Sequence, residues 1–252
     1  MARSGKNEKK RNGATAFEPI RVEPAYRKVA AALLERITDR TINAGERLPP
    51  EVELARQFGV HRGTVREALR ELETNGMLKR ERGSKLMMVT RPTRHAVAAN
   101  VSRALSLHDV SYHDIWEALT ALEPPIATAA ARERTARDLA RLAEVAAEDV
   151  SVTQTADFFR ATGEATHNGV FMLAHEPLLA LLVPALGAMM DKVPQATARI
   201  ATAQKRILAA IEARDGALAA DWMAKHIRDF RRGFELARIG LDQPVAGAYE
   251  GT

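Results

Sequence analysis

A chain of 252 residues, 46% hydrophobic, 27% charged and only 5% aromatic, has room for two ordinary cores and the composition of a soluble, helix-rich protein. It contains no cysteine, which excludes disulfides, thiolate zinc sites and cysteine nucleophiles. The formal charge of +5 is unevenly divided, with 21 Lys and Arg against 12 Asp and Glu in residues 1–94 and 16 against 20 in the remainder, so the N-terminal part is the candidate partner of a polyanion.

Residues 1–22 are polar and basic with no apolar period, and they read as a flexible arm. From Tyr26 the spacing of Val29, Leu33 and Ile37, with Ala30 and Leu34 beside them, predicts an amphipathic helix ending before Asn43-Ala44-Gly45. Residues 51–58 predict a short helix opened by Pro49-Pro50, closed by Gly59, and burying Val52, Leu54, Ala55 and Phe58. A third helix is expected from His61 to Thr74, with Val65, Ala68, Leu69 and Leu72 inward and Asn75-Gly76 as its stop. Only Gly59-Val60-His61 separate the last two helices, the spacing of a helix-turn-helix. Two apolar runs, Met77 to Arg80 and Lys85 to Val89, flank Gly83 and predict a hairpin, the wing of such a domain.

Beyond Pro92 the pattern is helical throughout, with helices expected near 96–107, 111–133, 135–149, 153–167, 172–191, 195–213 and 215–239. The domain boundaries read from this pattern are 1–22 for the arm, 23–92 for the winged helix-turn-helix, 95–240 for an all-helical domain, and 241–252 for a C-terminal tail. The fold class is therefore mostly α. The most apolar stretch, Val170 to Met190, carries His175, Glu176, Pro177 and Pro184, and reads as core helix rather than membrane span.

The third helix carries the chemistry of recognition. Arg62, Arg66 and Arg70 recur at i, i+4 and i+8 beside the apolar stripe, so the basic face can lie in a major groove while the other packs inward. A guanidinium there reaches guanine O6 and N7 or clamps a phosphate. Gly63 permits close backbone approach, the Thr64 hydroxyl can hold a phosphate, and His61 caps the helix or does the same. On the wing, Arg80, Arg82 and Lys85 put positive charge beside the turn at Gly83. Any one of these cations, alone, also reads as a solvated surface charge.

These residues resemble the N-terminal pattern of the GntR family of bacterial regulators: Gly45 to Glu51, Leu54-Ala55, Phe58 to Leu69, Leu72-Glu73 and Asn75 to Leu78. The resemblance spans about 23–90 and implies that Arg62, Arg66 and the wing residues Arg82-Gly83 touch DNA. Val52, His61 and Gly63 depart from the pattern of FadR-like members, which implies that one DNA contact is lost and that the preferred half-site differs.

The second half resembles the FCD ligand-binding domain of FadR-type members through Leu122 to Pro125 with Ala129-Ala130, Phe158 to Ala161, Glu164 to Asn168, Ile207 to Ile211 with Asp215, and Met223 to His226. Many such domains hold a metal with an Asp and a His four apart and two later histidines. Here Thr155, Phe159, Gln204 and His226 occupy those positions, and a register placing His167 first puts Gly163 at the Asp position, so no metal and no other cofactor is expected. Leu119 or Thr120 stands in place of the family's Arg. The resemblance thus implies an uncharged or apolar organic effector in a pocket lined by Phe159, Gln204, Trp222 and His226. Phe159 and Trp222 also read as plain core, and His226 as a buried histidine.

The expected protein is a cytoplasmic, nucleoid-associated regulator and not an enzyme: a homodimeric repressor that binds inverted-repeat operator DNA and responds to a small-molecule effector. Two alternatives stay open. One is an effector-blind architectural DNA binder. The other is a DNA-tethered enzyme, for which Asp157, His167, His175 and Glu176 are the only candidates and no catalytic motif accompanies them.

Overall fold

The structure is a computed structural model and describes residues 23–245 except Arg82 and Lys85. The expected arm at 1–22 and the contacts assigned to Arg82 and Lys85 lie outside the described residues. The chain divides into two compact units, Met1–Arg91 and Pro92–Thr252.

In the first unit, α1 (Ala25–Thr38), α2 (Glu51–Phe58) and α3 (Arg62–Thr74) enclose a core of Val29, Leu33, Leu54, Val65, Ala68, Leu69 and Leu72. Gly59 ends α2 with φ +64°, the left-handed cap that a side chain disfavours. Val60 N–H then donates to the Ala55 carbonyl at 3.0 Å, and the chain re-enters a helix at Arg62 with His61 as its N-cap. His61 makes no side-chain capping bond.

Val52, expected inside, is 56% exposed. It lies two positions before Leu54, about 200° around the helix from it, so once Leu54 and Ala55 face the core Val52 must face out. Leu34 is likewise 36% exposed, at the margin of the α1 stripe.

Strands β1 (Leu78–Arg80) and β2 (Met87–Val89) pair antiparallel, Leu78 opposite Val89. The second strand begins two residues later than the Lys85 start read from the sequence. Residues Gly45 to Leu48, with no strand signal of their own, lie along β2: Leu48 N–H donates to the Met87 carbonyl, and Val89 N–H to that of Glu46, both at 2.8 Å. This pairing buries Leu48 and closes the sheet edge next to α2.

The second unit holds α4 (Arg94–Leu107), α5 (Tyr112–Glu133), α6 (Ala136–Ala147), α7 (Val152–Glu164), α8 (Gly169–Lys192), α9 (Ala196–Glu212) and α10 (Gly216–Leu236). Their starts are set by side-chain caps. Ser111 and Thr135 each form a reciprocal box with the Asp three residues on, and Thr93, Ser151, Asn168 and Asp215 each accept from a first-turn N–H. The Thr93 cap starts α4 two residues earlier than expected, and Asn168 starts α8 three residues earlier.

Pro124-Pro125 and Pro177 with Pro184 sit inside α5 and α8 without ending them. Helix α8 is long and apolar enough to cross a membrane, yet Leu179, Leu181, Leu182, Leu186 and Met189 are buried in one core with Trp116, Phe158, Phe230 and Phe234. At the C-terminus, residues 241–245, the described part of the segment read as a tail, pack against the second unit: Val245 is buried, its N–H donates to the Val110 carbonyl at 2.8 Å, and His113 N–H donates to the Leu241 carbonyl at 2.9 Å.

Candidate functional site

The polar face of α3 is open. His61, Arg62, Gly63, Arg66 and Arg70 are exposed and Thr64 is half-buried, while Val65, Ala68 and Leu69 anchor the opposite face. No atom lies within 4 Å of where a Cβ on Gly63 would stand, so the backbone there is accessible to a partner. The sequence-predicted residues of this helix therefore share one surface, and Gly83 sits at the hairpin turn with φ +76°.

Three further groups belong to the same surface. Arg80 on β1 and Arg70 line a groove of about 500 Å³ together with Arg62, Arg66 and Glu51. Glu51, at the first position of α2, accepts from Arg66 Nη2 at 3.0 Å and lies 3.9 Å from Arg62 Nη2. The hydrogen bond from Arg66, opposed by partial burial and reinforced by the charges of Arg66, Arg62 and Arg80, holds the Glu51 carboxyl below the usual carboxylate range. One anion thus gathers two guanidinium groups whose side chains remain 59% and 62% exposed. Arg70 was legible as the third member of the stripe, whereas nothing local marked Glu51.

In the second unit, Phe159 of α7 stacks on the His226 imidazole of α10, with centroids 5.5 Å apart and planes 10° from parallel, and Phe230 packs 4.5 Å from the same imidazole. Both His226 nitrogens are buried without a hydrogen-bond partner among the described residues. Burial alone pushes the His226 pKa down to about 3, so the ring is neutral.

Gln204 is engaged elsewhere, since the buried Gln154 side chain donates to its Oε1 at 2.8 Å. Trp222 is half-buried, with Lys225 Nζ 4.7 Å and Arg206 Cζ 5.8 Å from its ring centroid. The structure therefore joins Phe159 to His226, gives Gln204 a different partner, and places Trp222 under two surface cations.

The donor set does not fit the metal that the FCD resemblance brings with it. Thr155 offers one buried hydroxyl without a partner among the described residues, Phe159 covers the imidazole face with carbon, and the Gln204 amide is already engaged. A divalent ion replaces its water shell with several N or O ligands, and a single ring-covered imidazole does not supply them.

A further polar pair, whose members the sequence showed singly but did not join, lies deeper. Glu123 of α5 and His175 of α8 are both fully buried, with His175 Nδ1 3.1 Å from Glu123 Oε1. Glu123 Oε2 and His175 Nε2 have no partner among the described residues.

Comparison with known proteins places both units. Residues 25–86 match the model for bacterial regulatory proteins of the gntR family, and residues 114–229 match that for the FCD domain. The Uxu operon transcriptional regulator of Escherichia coli is 31% identical over 160 residues, 58% of this chain and 60% of that protein. The Uxu operon regulator of Haemophilus influenzae is 29% identical over 165 residues, 62% and 60% of the respective chains. The matched part of the chain thus spans about 60% of the length of these relatives.

Among solved structures, the Streptococcus agalactiae GntR aligns over 82% of this chain and 99% of its own at 24% identity with a TM-score of 0.64, a likeness of fold. With a gntR-type helix-turn-helix at 25–86 and an FCD domain at 114–229, the chain belongs to the gntR family of bacterial regulatory proteins.

Proposed function

We propose that this protein is a transcriptional repressor that binds an inverted-repeat operator as a homodimer in the bacterial cytoplasm, at the nucleoid, and leaves it when a small organic effector occupies the FCD domain. The observation that carries the reading is the exposed guanidinium set of α3, with Arg62 and Arg66 drawn together by Glu51 on an otherwise rigid scaffold. Side chains so placed reach base edges or phosphates of a major groove, while His61, Gly63 and Thr64 let the helix start approach the backbone. Arg82, Gly83 and Lys85 are assigned to the wing's contact with DNA.

The effector is uncharged and binds without a metal, beside the Phe159 and His226 rings, with Gln204 and Trp222 at the margins of its site. Support comes from the neutral state of His226 and from the poor donor set around it. A two-fold dimer presents two copies of α3 to two half-sites, and an effector that favours a different spacing of those copies weakens binding by its differential affinity.

Selection of duplexes from a random pool by the full chain tests the reading. The expected product is a palindromic consensus, bound with an affinity that falls steeply as salt rises through counterion release. Recovery of no consensus, or a flat dependence of log affinity on log salt, refutes it.

A further inference from the structure

Six buried side-chain atoms lack a hydrogen-bond partner among the described residues, and all of them belong to the second unit: Trp116 Nε1, Glu123 Oε2, Thr155 Oγ1, His175 Nε2 and both nitrogens of His226. Each such atom leaves its desolvation uncompensated, and a native core rarely gathers several on neighbouring helices. They lie on α5, α7, α8 and α10. Thr155, Phe159 and Gly163 follow one another at i, i+4 and i+8 on α7, so the His226 ring and the Glu123–His175 pair meet the same face of that helix.

The pair lies one side chain away from solvent. A Cβ on Gly163 would stand 2.6 Å from Met172 Sδ and 2.9 Å from His175 Nε2, so Met172 and His175 crowd the same notch in α7, a notch that only glycine provides. Met172 also lines a cleft of about 810 Å³ whose rim carries Arg94, Arg137, Asp138, Glu164 and His167. Met172 is thus both the floor of that cleft and the cover of the buried pair. An unbranched thioether can swing aside at little cost.

The charges of the cleft are largely matched within the chain. Arg94 lies 3.2 Å from Glu164, Asp138 2.9 Å from His167, and Arg141 3.0 Å from Glu144. Behind Met172, His175 Nδ1 and Glu123 Oε1 face each other, and in the tautomer whose Nδ1–H donates to that oxygen, Oε2 and Nε2 are left as two acceptors without donors among the described residues. Neither Glu123 nor His175 has a lysine or arginine partner among the described residues. A ligand group facing these acceptors must donate hydrogen bonds, and a carboxylate, which offers only acceptors, leaves them unmet.

We propose that the cleft above Met172 is the mouth of the effector site and that the Glu123–His175 pair is its polar anchor, taking an uncharged molecule with adjacent hydroxyl or amide N–H donors and rejecting carboxylates. This rests on the reading of the FCD domain as effector-binding, and adds the anchor and the ligand class to it.

Saturation-transfer NMR on the full chain tests it with erythritol and propionamide as donor probes and propionate as the isosteric anion. Transfer to both donor probes and none to propionate is the expected result. Glu123→Gln, which puts an amide where the acceptor oxygen stands, should weaken the donor probes by about tenfold, the worth of one buried hydrogen bond.

The double variant Glu123→Met with His175→Leu should abolish transfer, with a melting temperature equal to or above that of the parent, because it removes two uncompensated polar groups together. Transfer to propionate equal to that of propionamide, no transfer to either donor probe, unchanged probe affinity in Glu123→Gln, or a melting temperature lowered by about 6 °C or more in the double variant overturns the proposal. None of these outcomes bears on selection of operator duplexes, so the regulator reading stands or falls separately.

Discussion

The neutral, fully buried His226 makes the second unit acid-sensitive in a way that one substitution should remove. Its pKa is about 3 in the folded chain, pushed down by burial from the ordinary 6.5. Below pH 6.5 the unfolded chain binds a proton at this position that the folded chain refuses, so stability rises with pH between about 3 and 6.5 and is lost as pH falls through that window. At about 1.4 kcal/mol per pH unit, the loss is about 2 kcal/mol at pH 5 and approaches 5 kcal/mol near pH 3.

His226→Phe keeps an aromatic ring between Phe159 and Phe230 and has no proton to take up. Both tryptophans of the chain, Trp116 and Trp222, lie in the second unit, so their fluorescence during urea unfolding follows that unit alone. Measured at pH 7.5 and pH 5.0, the parent should lose about 2 kcal/mol more than His226→Phe across the interval. Equal losses in the two proteins, within about 0.5 kcal/mol, would show that the imidazole is protonated or solvated in the folded state and would refute the argument.

Three other outcomes follow from the same geometry. Arg62→Ala and Arg66→Ala should each cost about 1–3 kcal/mol of affinity for the selected duplex while leaving the melting profile intact; anisotropy titrations that match the parent remove the recognition assignment. Glu51→Gln releases two guanidinium groups from their shared anion, and affinity for random duplex at low salt should rise about fivefold, the worth of one exposed charge contact; an unchanged random-duplex affinity shows that Glu51 does not restrain the pair. Elemental analysis of protein purified without added metal should give no stoichiometric divalent ion, and zinc, nickel or manganese should not raise the melting temperature. One ion per chain would mean that the ring-covered site opens far enough to coordinate.

What the sequence made legible was local. The basic stripe of α3 and its apolar partner stripe repeat within one helix, and Gly59 is a stop signal that needs only its own position, so each could be read where it stands. Residues that failed to show themselves owe their position to distant chain. Gly45 to Leu48 becomes part of the sheet only because β2 supplies the other half of its hydrogen bonds, and Val52 could be misassigned because eight residues of helix hold too few apolar positions to fix which face is inward.

The candidate sites divide the same way. Arg62 and Arg66 were visible, but the carboxyl that gathers them comes from the start of the preceding helix, 15 residues from Arg66. Glu123 and His175 are 52 residues apart; each showed singly, one within the Leu122 to Pro125 pattern and the other as a break in an apolar run, and nothing in either place joined them. A buried polar pair is selected against by every local preference for an apolar core, so it leaves no periodic trace and is recognised only once two helices are brought face to face. That is why the DNA-binding surface could be argued from spacing, while the identity of the effector depends on groups that only the folded interior assembles.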